Sequence, residues 1–117
     1  MANPNIPVID SYEKTIASTA TPVNVQASSG AVWIYAKDVV IKAVPGNTTP
    51  ILIGNRTRQA FTLAPVDADA YAAEEIRLST LMNRMSQSAK FDLREIFVKA
   101  GTNGDKFQVL LIDPTLD

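Results

Sequence analysis

The chain of 117 residues contains no cysteine and no histidine. Without thiols there are no disulfides and no thiolate metal ligands. Without imidazole there is no Ser–His or Cys–His nucleophile pair, no imidazole metal site, and no side chain whose ordinary pKa lies near neutrality. An excess of charge is missing too: 11 Lys and Arg stand against 12 Asp and Glu, a formal charge of −1. Binding to nucleic-acid phosphates needs a concentrated basic face, so no direct nucleic-acid partner is expected. No run of about 18 apolar residues occurs. The opening Met1-Ala-Asn-Pro-Asn-Ile-Pro7 has neither a charged leader nor an apolar stretch, so neither membrane spanning nor conventional secretion is expected. No glycine spacing matches a phosphate-cradling loop, since Gly101 and Gly104 belong to a hairpin turn. These absences point away from an enzyme and from any cofactor.

What is present suits one folded domain. Hydrophobic residues at 46% and charged residues at 20% are too apolar for a disordered chain, and a chain of this mass buries about two-thirds of its unfolded surface on folding. Residues 1–14 hold Pro4, Pro7, Asn3, Asn5 and Asp10 and read as an extended N-terminal arm. Residues 15–117 read as a single domain. Within the arm, Ile6, Val8, Ile9 and Tyr12 are apolar enough to dock on a surface, either of this domain or of a neighbour.

From Thr15 onward β-branched and aromatic residues dominate. Thr15–Ala20 and Val23–Ala27 read as strands split at Thr21-Pro22. Ala31–Ala36 is apolar on both faces, as a central strand would be. Lys37-Asp38 reads as a tight turn or bulge before another strand, Asp38–Val44. Pro45-Gly46-Asn47-Thr48-Thr49-Pro50 is the densest turn signal in the chain. Ile51–Ile53 and Gln59–Leu63 are short strands around Gly54-Asn55. Near the end, Asp92–Ala100 and Lys106–Ile112 read as a hairpin about Asn103-Gly104, with Pro114 closing the last strand. The tripeptides Asn47-Thr48-Thr49 and Asn55-Arg56-Thr57 read as loop chemistry rather than as glycan acceptors.

Between Ala70 and Ser88 the period changes. Leu78, Leu81, Met82 and Met85 fall at i, i+3, i+4 and i+7, which predicts one amphipathic helix over about residues 70–88. Asp67, Asp69, Glu74 and Glu75 gather near its start and Arg84 and Lys90 near its end, as the helix dipole favours. Seven or eight short strands, one inserted helix and no parallel crossover rhythm give a mainly β protein, an antiparallel β-sandwich or jelly roll.

Several groups invite a chemical reading. The acids at 67, 69, 74 and 75 are the only carboxylate cluster, but their spacing fits no calcium loop. A glycosidase pair would need two acids across a cleft, with Asp92, Glu95, Asp67 and Asp69 as candidates. Arg56 and Arg58 flank Thr57 in a loop and suit a carboxylate or phosphate on a partner. Trp33 and Tyr35 share a face and would make a sugar platform if exposed, or core if buried. The Leu78, Leu81, Met82, Met85 stripe serves either the domain's own sheet or a subunit contact.

The order of segments carries a resemblance. Val39-Ile41-Ala43, then Asn47 to Pro50, Ile51-Leu52-Ile53-Gly54, Phe61-Thr62-Leu63-Ala64-Pro65, Asp92-Leu93-Arg94-Glu95-Ile96-Phe97-Val98-Lys99-Ala100 and Asn103-Gly104-Asp105-Lys106-Phe107-Gln108-Val109 form a pattern that resembles small structural proteins of tailed-bacteriophage virions. The likeness runs over Val39–Ile112. It departs at Val66, where the pattern prefers glycine, and in the roughly twenty residues inserted around Ala70–Lys90. The resemblance implies a small β-sandwich that decorates or cements a phage head by binding the major capsid protein, with no catalytic residues. Such a protein belongs to the virion and assembles as a dimer or trimer on capsid symmetry axes. The partner-binding residues expected are Ile6, Val8, Ile9, Tyr12, Arg56 and Arg58. A tail, neck or fibre component and a carbohydrate-binding β-sandwich module are the alternatives.

Overall fold

The computed structural model describes residues 8–28, 30–63, 75–81 and 90–116. Among them run β1 (Ile9–Thr15), β2 (Val23–Asn24), β3 (Tyr35–Ala43), β4 (Ile51–Gly54), β5 (Gln59–Leu63), β6 (Glu75–Arg77), α1 (Leu78–Leu81), β7 (Phe91–Asp92), β8 (Phe97–Ala100) and β9 (Lys106–Thr115), with a 3₁₀ turn at Leu93–Glu95 between β7 and β8. One sheet has the order β1-β9-β3-β6, with β7 also paired to β3; the other has the order β2-β8-β4-β5. Every pairing is antiparallel. Among the described residues the protein is mainly β, with one short α-helix.

Alternation in the strands builds the core. In β9, Phe107, Val109 and Leu111 are buried while Lys106 and Gln108 are exposed, the two-residue period of a half-buried strand. Val39, Ile41 and Ala43 of β3 join that face. Ile51, Ile53 and Leu63 meet them from the second sheet together with Val98 and Ala100, in a single hydrophobic cluster. The two sheets therefore sandwich one core. Leu78 of α1 packs into the same cluster, so this member of the apolar stripe serves its own domain; Met82 and Met85 lie outside the described residues.

Several local expectations are corrected. The residues expected as an extended arm, docked on this domain or on a neighbour, become from Ile9 on an edge strand paired along its whole length with β9, so residues 9–14 belong to the sandwich. The strand placed at Thr15–Ala20 ends at Thr15, and that at Val23–Ala27 shortens to Val23–Asn24. Lys37-Asp38 is no turn: β3 runs through it, and the central strand begins at Tyr35 rather than Ala31. Glu75–Arg77, expected as helix, are a strand because the edge of β3 offers them a ladder, with Ile76 opposite Ile41. Helix follows only at Leu78–Leu81, and the rest of 70–88 lies outside the described residues. Asp92 caps the 3₁₀ turn that interrupts the expected Asp92–Ala100 strand. Pro114 sits inside β9 opposite Ala36; at the neighbouring Asp113 the backbone takes a positive φ of 49°, a conformation that Asp tolerates better than most residues.

Candidate partner-binding surface

Register assigns the loops to two ends of the sandwich. At one end β3 finishes at Ala43 opposite Phe107, β4 begins at Ile51 opposite Ala100, and β1 finishes at Thr15 opposite Lys106. The turns 44–50 and 101–105 therefore meet. At the other end lie the start of β1, the end of β9, the start of β3 and the turn between β4 and β5, because Ile9 pairs with Ile112, Tyr35 with Thr115 and Asp92, and Gly54 with Phe97 and Gln59.

The first end is closed by hydrogen bonds. Asp105 is only 4% exposed. Its carboxylate accepts from the backbone N–H of Thr48 and of Thr49, both at 3.0 Å, and from the hydroxyls of Thr49 at 2.6 Å and Thr48 at 3.3 Å. Asn47 pairs with the Lys106 backbone in both directions, its amide donating to the carbonyl at 2.7 Å and its oxygen accepting the N–H at 2.8 Å. The Thr49 hydroxyl also accepts from the Gly101 N–H at 3.0 Å. The hairpin expected about Asn103-Gly104 does not form: β8 and β9 belong to different sheets, and Gly104, at φ +94°, sits in the turn that carries the chain from one sheet to the other, in a left-handed conformation that glycine takes without penalty. Burial alone would raise the Asp105 pKa. The donors from Thr49 and Thr48 outweigh it and hold the carboxyl below its ordinary value. Two turn signals nearly sixty residues apart in sequence thus form one clamp.

Among the described residues the second end is the more open, exposing the β4–β5 turn and several apolar side chains. The β4–β5 hairpin tip is stiffened by Asn55, whose side-chain oxygen accepts from the Thr57 N–H and hydroxyl at 3.0 Å and from the Arg58 N–H at 2.8 Å. Gln59 donates its amide to the carbonyls of Asn55 at 2.6 Å and Arg56 at 3.1 Å. At the base, a Cβ on Gly54 would lie 2.0 Å from the Arg58 carbonyl oxygen, so only glycine fits. Arg56 and Arg58 are exposed on this tip, with the Arg56 guanidinium 5.4 Å above the centre of the Phe97 ring. Val8 and Ile9 lie at the same end, 40% and 65% exposed, as do Val32 and Leu116 at 44% and 57%. Val8 is tied to Asp113, whose N–H donates to its carbonyl at 2.8 Å.

Four of the six expected partner residues, Val8, Ile9, Arg56 and Arg58, are therefore gathered at one end. Tyr12 is removed from the set: it is half-buried, packs on the core and donates its hydroxyl to the Val25 carbonyl. Burial, and then the Asp10 carboxylate, push its phenol pKa well above the ordinary value. Beside it Lys14 donates to the Asn24 carbonyl at 2.6 Å and to the Gln26 carbonyl, with its pKa lowered by burial. Ile6 lies outside the described residues. Val32 and Leu116 were not singled out in the sequence; isolated apolar residues in loops carry no periodic signal, and only the register groups them.

The other chemical candidates resolve differently. Trp33 packs against the core and donates its indole N–H to Asp10 at 2.8 Å, while the Arg94 guanidinium lies 5.6 Å above the Tyr35 ring. Asp92 is paired with Arg94 through both oxygens at 2.9 Å, and that hydrogen bonding depresses its pKa. Asp67, Asp69 and Glu74 lie outside the described residues, among which no group of three or more acids could hold a metal ion. A further carboxylate that the sequence reading missed is Asp38. It is 8% exposed and accepts from Arg77 at 3.0 Å, from the Ser79 N–H and hydroxyl at 3.1 and 2.6 Å, and from the Val39 N–H at 2.8 Å. Compared with protein-family models, with curated proteins and with solved structures, the chain finds no match in any of the three.

Proposed function

We propose that the protein is a structural component of a tailed-phage virion, a decoration or cement protein that binds the major capsid protein shell through the open end of its sandwich. The observation that carries this reading is the gathering of Val8, Ile9, Arg56 and Arg58, with Val32 and Leu116, at one end of a rigid β scaffold. Exposed apolar side chains at the same end as a braced pair of arginines suit a protein surface that offers both apolar ground and carboxylates. A second support is the clamp at the far end. The turn segments that carry the resemblance, Asn47–Pro50 and Asn103–Lys106, are the ones that lock together there, so the resemblance rests on residues that hold the fold.

The mechanism is adhesive. Each domain bridges neighbouring shell subunits and opposes the pressure of packaged DNA, and many weak contacts repeated over a symmetric shell sum to tight attachment. Incubation of the purified protein with phage heads lacking it, followed by co-sedimentation and counting of bound copies, tests the reading. Saturation in icosahedral multiples supports decoration. About a dozen copies or fewer moves the protein to the tail, neck or a fibre. Absence of binding, together with retention on a polysaccharide matrix, replaces the reading with a carbohydrate-binding module.

A further inference from the structure

Among the described residues, the outer edge of β1 is the longest edge left without a strand partner. The N–H of Asp113 donates to the Val8 carbonyl and the N–H of Ile16 to the Asp105 carbonyl, both at 2.8 Å. In an antiparallel ladder these bonds alternate along the strand. Residues 8, 10, 12, 14 and 16 therefore turn their backbone groups towards β9, while Ile9, Ser11, Glu13 and Thr15 turn theirs away from it. Among the described residues nothing pairs with that outward row, and the side chains of the same four residues are all exposed. Proteins usually blunt such edges with proline, a bulge, inserted lysines or a covering segment. β1 has neither proline nor a register shift over its seven residues.

We infer that β1 pairs antiparallel with β1 of a second copy of this chain, joining two five-stranded sheets across a two-fold axis at Tyr12. Three registers centred on neighbouring residues compete. With the axis at Glu13, two glutamates face each other; with the axis at Ser11, Thr15 is left unpaired. With the axis at Tyr12, every outward residue finds a partner: Ile9 meets Thr15 of the other copy and Ser11 meets Glu13, with no like charges opposed. On the inner side this register sets Asp10 of one copy opposite Lys14 of the other. The Lys14 ammonium has three donors and uses two of them on Asn24 and Gln26, leaving one for the facing carboxylate. The match of hydrogen-bonding row, length and charge is self-complementary, as a two-fold interface requires. The inference concerns this chain alone and does not need the shell-binding reading.

Sedimentation equilibrium of the purified chain tests it, with three variants at the exposed Ser11. Ser11→Glu opposes Glu13 of the partner twice per dimer and Ser11→Lys attracts it twice. The dissociation constant is expected to rise in the first and fall in the second by roughly two- to thirty-fold. Ser11→Pro removes one outward N–H without touching the ladder to β9, a position where proline is tolerated, and is expected to be monomeric with an unchanged circular dichroism spectrum. If it fails to fold, the opposite signs of the Glu and Lys variants still decide. Hydrogen exchange at the Ser11 and Glu13 amides should slow as the dimer forms. A chain that stays monomeric to about millimolar concentration, a dimer indifferent to all three variants, or amides already protected in the monomer each overturn the inference.

Discussion

The two ends of the sandwich are built on opposite plans. At the closed end a buried carboxylate gathers four neutral donors and welds two turns that are far apart in sequence. At the open end the hairpin tip is braced by its own Asn55 and Gln59, with Arg56 stacked on Phe97, and exposed apolar side chains lie at the same end of the sandwich. The contrast shows where folding energy and binding capacity are kept. Non-local hydrogen bonds to a buried charge hold the fold. A locally self-sufficient tip is free to present arginines without being needed by the core.

Breaking the closed end should give the largest effect. Asp105→Ala strands four donors in a largely dry site and is expected to cost about 3–5 kcal/mol, read as a lower midpoint of urea unfolding at unchanged slope. Thr49→Val, which removes one hydroxyl bridging Asp105 and Gly101, should cost about 1–2 kcal/mol. If both variants unfold together with the wild type, the clamp is decoration rather than support.

At the open end the greatest expected loss is at Gly54→Ala, about 2–4 kcal/mol, because the added methyl meets the Arg58 carbonyl oxygen in a tight turn. The same change should displace the tip and weaken partner binding, so stability and binding fall together only here. A stable, normally binding Gly54→Ala protein would show that the tip can reshape itself.

Acid separates the two plans further. Asp105 and Asp38 both have folded pKa values below their unfolded ones. Their stabilisation is therefore complete above an unfolded-chain pKa of about 4 and is lost as pH falls through the lower folded values. Unfolding midpoints followed from pH 6 to pH 2 should drop on the acid side of about 4, and Asp105→Asn should flatten that drop. An unflattened profile would assign the acid sensitivity to the other carboxyls with lowered pKa, Asp38 beside Arg77 and Asp92 beside Arg94.

The smallest stability effects belong to the exposed arginines. Arg58→Ala should lie within about 0.5 kcal/mol of wild type. Arg56→Ala, which loses the stacking on Phe97, and Arg77→Ala, whose guanidinium is half exposed, should each cost less than about 1 kcal/mol. Loss of head binding in Arg56→Ala and Arg58→Ala at near-normal stability would sharpen the division between the ends. Unchanged binding in both would remove the tip from the proposed contact.

Local chemistry made part of this legible. The turns at 45–50 and 101–105 were readable because glycine, proline and asparagine act on their own neighbours, and the alternation in β9 was readable because one face meets water. The helix expected over Glu75–Arg77 failed because three residues at a sheet edge take the ladder that β3 provides, and periodicity over a short window cannot sense a neighbouring strand. Of the expected contact residues, Val8, Ile9, Arg56 and Arg58 proved exposed. Tyr12 did not, since its hydroxyl finds the Val25 carbonyl just beyond β2 of the opposite sheet.

By itself, then, the sequence determined a cysteine-free, histidine-free, mainly β domain, the positions of its sharpest turns, and a succession of short apolar strands suited to two layers. Those properties follow from composition and from interactions between residues near each other along the chain. Only the tertiary structure decided that Asp38 lies buried in a strand rather than in a turn, that Asp105 locks onto Thr48 and Thr49, that β1 joins the sheet and leaves one edge open, and that the exposed residues collect at one end. Each of these depends on partners dozens of residues away, whose approach is set by strand register and by the need of buried polar groups to find donors.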